Sequence, residues 1–199
     1  MVNELNNKNL KIIFLDTEFT GEHQFATLVS IGIVTLSGEK LYITLNDYEK
    51  SQVTEWLEGN VLSDIDSRES VDSKIAATKM ASFLKDYSNG NKLYVVSAGL
   101  GLDIVLFFEL FKHLNDVSEK QFHALYDLPD YLSHHCTIDL NTLFRLVGVS
   151  PAESRAQYAG VTKESRHNSL SDAEVVRKCF LKLSKDPAMQ DFIEGLENG

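Results

Sequence analysis

Basic residues are scarce in this chain: 19 lysines and arginines stand against 29 aspartates and glutamates, a formal charge of -10. That balance excludes a protein that grips long duplex nucleic acid through many phosphate contacts. It leaves open a short substrate held through cations. Cysteine is nearly missing as well. Cys136 and Cys179 are too few for a disulfide framework and lack a Cys-x-x-Cys spacing, so both are expected as reduced, partly buried thiols. No apolar stretch reaches the ~18 residues of a membrane span, and the polar opening residues hold no apolar region of signal-peptide length. The expectation is a soluble, cytoplasmic protein with no membrane contact. Internal repeats, low-complexity tracts and interdomain linkers are also lacking. With 199 residues, 43% of them hydrophobic, the chain is sized for one compact domain. Its expected extent is residues 11–185, between a polar segment at 1–10 and a peripheral tail at 186–199.

What is present begins with an apolar run at residues 11–15, Lys-Ile-Ile-Phe-Leu, suited to a central strand buried on both faces. A second strand-like run covers 27–36, and Ser37-Gly38 turns it into a third at 40–45. There Leu41, Ile43 and Leu45 alternate with Tyr42 and Thr44, as on a half-exposed strand towards one edge. Trp56 and Leu57 are expected to anchor a short helix or ordered loop. A helical pattern follows through Val71, Ile75, Met80, Phe83, Leu84 and Tyr87, with Asn89-Gly90 as its stop. Residues 92–98 read as another buried strand, and 104–114 as a very apolar helix. After an irregular connection pinned by Phe122, Tyr126 and Tyr131, a short last strand is expected at 135–138. Two more helices carry Leu140, Leu143, Phe144 and Val147, then Ala173, Val176, Phe180 and Leu183. Between them, residues 150–166 have weak periodicity and three cations, Arg155, Lys163 and Arg166, compatible with a movable flap.

The chemistry sits among the acids. If the first strand continues through Glu18, Asp16 and Glu18 point to one side, because strand side chains repeat every two residues. Two like charges on one face are unfavourable unless something positive binds between them; the alternative is a strand that ends in polar turn residues. Asp103 stands at a helix entrance, favoured there by the exposed amides alone or delivered by a strand tip towards Asp16 and Glu18. Asp139 reads first as a helix cap. His167 and Asp172 flank the start of the last confident helix, with Asn168 or Ser169 as cap. His134 and His135 are adjacent and point apart if they lie on a strand. His23, His113 and His123 have no recognisable partner.

Asp16-x-Glu18 on a first strand, Asp103 after a later strand and His167-x-x-x-x-Asp172 at a last helix resemble the DEDD superfamily of 3′-to-5′ exonucleases. The variant is the one named for its histidine, which includes ribonuclease T, oligoribonuclease and polymerase proofreading domains. Asp-Thr-Glu-Phe followed by Leu28-Val29-Ser30-Ile31-Gly32 is most similar to its small bacterial and phage exoribonucleases. The resemblance covers residues 11–183. It implies an α/β, ribonuclease H-like domain, with a mixed five-stranded sheet whose three leading strands are partly antiparallel, flanked by helices. It further implies that Asp16, Glu18, Asp103 and Asp172 bind two divalent cations, Mg²⁺ with Mn²⁺ as a substitute, and that His167 is the general base.

By position, Thr17 and Phe19 inherit contacts to the terminal nucleotide, although ordinary core packing explains Phe19 equally well. The implied activity is removal of nucleoside 5′-monophosphates from single-stranded 3′ ends, RNA favoured over DNA, by a homodimer. The segment before Asp103 departs from relatives in lacking a polar Asn or His, which bears on substrate preference. Alternatives are a DNA-directed exonuclease, a nuclease-like binding or scaffold protein, and a haloacid dehalogenase-type phosphatase. Glu18 stands against the last, which usually has Asp there.

Overall fold

The apolar run at the start of the chain becomes β1 (Lys11–Phe19). The computed structural model describes residues 10–65, 68–99, 101–114, 128–162 and 167–198; Phe122, Tyr126, Lys163 and Arg166 of the sequence reading lie outside them. β1 pairs antiparallel with β2 (Leu28–Thr35), which pairs antiparallel with β3 (Lys40–Thr44). On its other side β1 runs parallel to β4 (Leu93–Ser97), and β4 to β5 (Thr137–Asp139). Among the described residues the sheet thus has five strands in the order β3-β2-β1-β4-β5. This is the mixed α/β arrangement expected from the sequence. Parallel pairing requires crossover connections, and helices supply them.

Side-chain alternation along β1 splits the core in two. Ile13 and Leu15 face one layer, made by α2 (Ser73–Ser88) and α3 (Leu102–Leu110) with Met80, Leu84 and Phe107. Ile12 and Phe14 face the other, made by α4 (Leu140–Leu146) and α6 (Ser169–Leu183) with Leu140, Phe144, Val176 and Phe180. The rings of Phe14 and Phe180 meet at 5.3 Å between centroids. Two smaller helices flank these: α1 (Glu55–Asn60), whose Leu57 packs with Val29 of β2, and α5 (Arg155–Ala159) against α6.

Several local expectations change on contact with the tertiary structure. Val71 lies outside α2: it bridges to Leu45, and Asp72 caps the helix by accepting from the Ile75 amide. Ile75 is exposed, because Ala76 and Ala77 take the buried face. Asn89 does end α2, in the left-handed conformation at φ 46°. The apolar helix at 104–114 divides into α3 and a 3₁₀ turn, Phe111–Leu114.

The segment after Pro187, expected to be peripheral, forms a 3₁₀ turn and α7 (Gln190–Asn198). Met189 and Ile193 are buried in the α6 layer, and the Tyr94 hydroxyl donates to the Leu196 carbonyl at 2.9 Å. The described part of 150–166 is packed as well. Cys179 Sγ donates to the Arg155 carbonyl, Lys182 Nζ to that of Tyr158, and Phe144 stands edge-on to Tyr158.

Candidate active site

β4 accompanies β1 only as far as Phe14, paired with Val96, so Asp16, Thr17 and Glu18 project past the end of the parallel strands. Ligand sites in open α/β sheets collect there. Asp16 and Glu18 lie on the Phe14 face, towards α6, and Thr17 lies on the face of α3. The acids therefore need contributions from both helical layers.

α6 supplies one. Asn168 caps it, accepting from the Ser171 amide at 3.0 Å, and Asp172 occupies its first turn. Carboxylate oxygens of Asp16, Glu18 and Asp172 all lie within 4.8 Å of one another, each residue half-buried. The close approach of α6 has a cause in β2. Gly32 pairs with Asp16, and a Cβ built on it would lie 2.3 Å from Ser169 O and Leu170 N; only glycine lets the helix start there. Beside it Ser30 and Ser169 share a buried hydrogen bond of 3.0 Å. Further along, Arg177 donates from Nε and from an Nη to the Leu36 carbonyl. The helix is thus tied to β2 at both ends of the contact.

α3 supplies the other. Asp103 sits in its first turn behind Gly101, whose φ of 82° turns the chain into the helix. Asp103 caps nothing. Its Oδ1 accepts from the Thr17 amide at 3.0 Å and the Thr17 hydroxyl at 2.7 Å, while its Oδ2 passes over Gly99 at the limit of what a Cβ would tolerate, 3.0 Å. The residue is 6% exposed. Burial pushes its pKa above the usual carboxylate range; the Thr17 bonds and the nearby Arg155 guanidinium oppose that rise, and Asp172 adds to it. Asp103 is therefore an electrostatic neighbour of Asp172, held on the opposite side of β1 and outside the trio that meets within 4.8 Å.

Two clefts flank the acids. One, of about 350 Å³, lies between Asp16, Asp172 and the start of α5, with Arg155 on its wall. Arg155 Nε is buried and has no hydrogen-bond partner among the described residues. The other, of about 430 Å³, joins Glu18 and Phe19 to Trp56 and His167. His167 has left-handed backbone, φ 55°, just before the α6 cap. Its ring stands edge-to-face with Trp56, 4.8 Å between centroids and 75° between planes.

Several sequence candidates stay out of the site. Asp139 caps α4, accepting from the amides of Asn141 and Thr142. His134 and His135 lie in the turn before β5, not on a strand, with ring centroids 3.7 Å apart. Both cysteines are buried, and burial pushes the Cys179 thiol up to about 11. Sequence reasoning missed Trp56, taken for an anchor: it is 55% exposed, and Leu57 beside it is the buried residue. It also missed the packing role of Gly32, although an isolated glycine inside a strand pattern signals close backbone approach.

The family model of the 3′-5′ exoribonuclease Rv2179c-like domain matches residues 11–183. The chain belongs to that family. The family is described as a 3′-5′ exoribonuclease domain, and the cluster of Asp16, Glu18 and Asp172 is compatible with metal binding. In fold it is similar to the Neurospora crassa Pan2 catalytic unit, described as a protease and nuclease domain, with a TM-score of 0.51 at 18% identity. That likeness covers 94% of this chain and 29% of the Pan2 chain, and agrees with the ribonuclease H-like fold expected from the sequence. No individually curated protein matches the sequence. No described helix of the Rv2179c-like domain is long and apolar enough to cross a membrane.

Proposed function

We propose that the protein removes nucleoside 5′-monophosphates from single-stranded 3′ ends, with RNA favoured over DNA, using two divalent cations. The observation that carries this reading is the convergence of Asp16, Glu18 and Asp172 oxygens within 4.8 Å. Three carboxylates so close repel one another unless cations neutralise them, and an all-oxygen donor set suits Mg²⁺ or Mn²⁺ better than a softer ion. Asp16, Glu18 and Asp172 would hold the ions, with Asp103 joining from the other side of β1. Bound there, the pair supplies Lewis-acid activation of the attacking water and stabilises charge on the transferring phosphoryl group. Mg²⁺ is the proposed physiological ion and Mn²⁺ its substitute.

The chain's own residues do the rest. His167 takes the proton of the attacking water on its imidazole; it stands beside Glu18 in one cleft. Both donors of Thr17 are directed at Asp103, so we assign Thr17 the holding of Asp103. Nucleotide contact falls instead to Phe19, which lines the cleft. Arg155 adds positive charge on the opposite flank, facing the acids and any phosphate between them. The proposed assembly is a homodimer, and the proposed unit of activity is residues 11–185, in the cytoplasm.

End-labelled single-stranded RNA and DNA of one sequence, incubated with the protein and Mg²⁺ or Mn²⁺, test the reading. The expected result is stepwise shortening from the 3′ end, faster on RNA, with release of monophosphates and loss of activity in Asp16→Ala. Degradation from the 5′ end, or full activity in Asp16→Ala, would overturn it. Light scattering on the eluting peak settles the dimer.

A further inference from the structure

We propose that a groove along the outer face of α6 receives the backbone of the substrate strand 5′ of the bond to be cut, with its phosphates between Lys40 and Lys178. This role rests on the exonuclease reading of the acids, which gives the strand its direction.

The helix itself builds the groove. Ser171, Glu174, Val175 and Lys178 recur at three- and four-residue steps and so share one face of α6. Lys40, at the start of β3, closes the space from the sheet side, and the enclosed volume is about 400 Å³. That is within the ordinary range of small-molecule sites.

The groove adjoins the acids. His167 borders the cleft of Glu18, and the next residue, Asn168, borders the groove, so the two spaces meet across the start of α6. Lys178 lies further along the helix than Asp172, by about 9 Å at the ordinary rise per residue. A phosphate beside Lys178 is therefore not the one held at the acids but one further along the strand.

Charge decides what enters. The whole chain carries a formal charge of -10, and the cleft beside the acids has Glu18 and Glu22 but neither lysine nor arginine among its described lining residues. In the groove the balance reverses: two lysines stand against one carboxylate among the described lining residues. That carboxylate is already engaged. Glu174 accepts from Arg177 Nη1 at 3.2 Å and pairs with Lys40 at 3.8 Å, and Arg177 is anchored in turn on the Leu36 carbonyl. Glu174 thus holds Lys40 over the groove. Lys178 is exposed and belongs to none of the ion pairs between described residues. Asn168 gives its side-chain oxygen to the Ser171 amide, which leaves its NH₂ as a further donor.

Lysines are point charges on flexible stems, so the groove holds a strand without reading its sequence. It does read length. A dinucleotide has only the phosphate that is cut and gains nothing there, whereas a longer strand reaches both lysines.

Binding of a labelled octaribonucleotide is followed by fluorescence anisotropy at increasing KCl, with Mg²⁺ and in the Asp16→Ala protein, which leaves RNA uncut under the exonuclease reading. The slope of log affinity against log salt should become shallower by about 0.7 in Lys178→Ala and about 1.4 in Lys40→Ala/Lys178→Ala, the single-strand value per phosphate contact. Lys178→Arg should keep the parent slope. Both lysines are exposed, so the variants should melt with the parent. With Asp16 restored, kcat/KM on the octanucleotide should fall several-fold in the double variant, and that on a dinucleotide should stay as it was.

An unchanged slope, or a loss on the dinucleotide as large as that on the octanucleotide, overturns the proposal. Should the parent protein degrade neither RNA nor DNA, the exonuclease reading falls while the salt slopes still decide the groove. If it degrades RNA and the double variant matches it in slope and in rate, only the groove falls.

Discussion

Thr17 directs both its backbone N–H and its hydroxyl at one oxygen of Asp103, at 3.0 and 2.7 Å, across 86 residues of sequence. The acid is oriented by the strand it serves. Groups that orient ligands typically govern metal affinity by 10- to 100-fold. Thr17→Val keeps the shape and the amide bond but removes the hydroxyl. It is expected to weaken Mg²⁺ binding by about tenfold or more in a calorimetric titration, with Thr17→Ser largely restoring it. Equal affinity in Thr17→Val would remove Asp103 from the ion site.

The same burial makes Asp103 a liability before metal arrives. Its folded pKa is raised above the ordinary value of 3.8, chiefly by desolvation. A group shifted upward stabilises the fold fully below its unfolded pKa, and that contribution is lost as pH rises through the folded value. Metal-free protein should therefore lose the Asp103 contribution above pH 3.8 as the carboxyl ionises. Asp103→Asn, which keeps an oxygen for Thr17, escapes that loss. In chelator, its melting temperature is expected to exceed that of the parent protein at neutral pH, and the gap to close towards pH 4. A gap independent of pH would show that ionisation of Asp103 is not its source.

Metal should reverse the sign. A ligand bound only by the folded state stabilises it by about 2.7 kcal/mol at 100 times its Kd. Calorimetric scans with and without Mg²⁺ or Mn²⁺ are expected to show an upward shift for the parent protein that is strongly reduced in Asp16→Asn and Asp172→Asn. An undiminished metal shift in either variant would place the ions elsewhere.

Gly32 offers a test that touches no charge. Gly32→Ala places a carbon where Ser169 O and Leu170 N lie 2.3 Å away, and the start of α6 must retreat. Overpacking of this kind costs about 1–3 kcal/mol, or about 2–4 °C of melting temperature per kcal/mol in a chain of this size. Activity should fall further than stability, by tenfold or more, because Asp172 moves with the helix. Circular dichroism and kcat/KM on one preparation separate the two. Parent-level activity in a destabilised Gly32→Ala would show that Asp172 tolerates displacement.

Where local pattern and tertiary packing agreed, the sequence was legible. Strand alternation correctly put Asp16 and Glu18 on one side, and the period of the last helix put Asp172 at its start, near Asn168. What escaped was set by contacts distant in sequence. Nothing in a linear pattern tells that Ala76 and Ala77, not Ile75, face the sheet, since the two alanines let α2 come close. Trp56 was misread because aromatic size normally implies burial, and exposure of a large ring is a tertiary fact. Asp103 was legible as a helix-entry acid, but its attachment to Thr17 depends on which layer α3 joins.

Asp103 comes from the α2–α3 layer and Asp172 from the α6 layer, while Asp16 and Glu18 lie on the strand between them. In chain order α6 follows all five strands. A polypeptide emerging from the ribosome thus possesses its strand acids long before Asp172 exists, and the constellation is complete only when layers on both sides have docked. Built this way, an unfinished chain carries its strand acids without Asp172, and the proposed activity is expected only from a domain packed on both faces of its sheet.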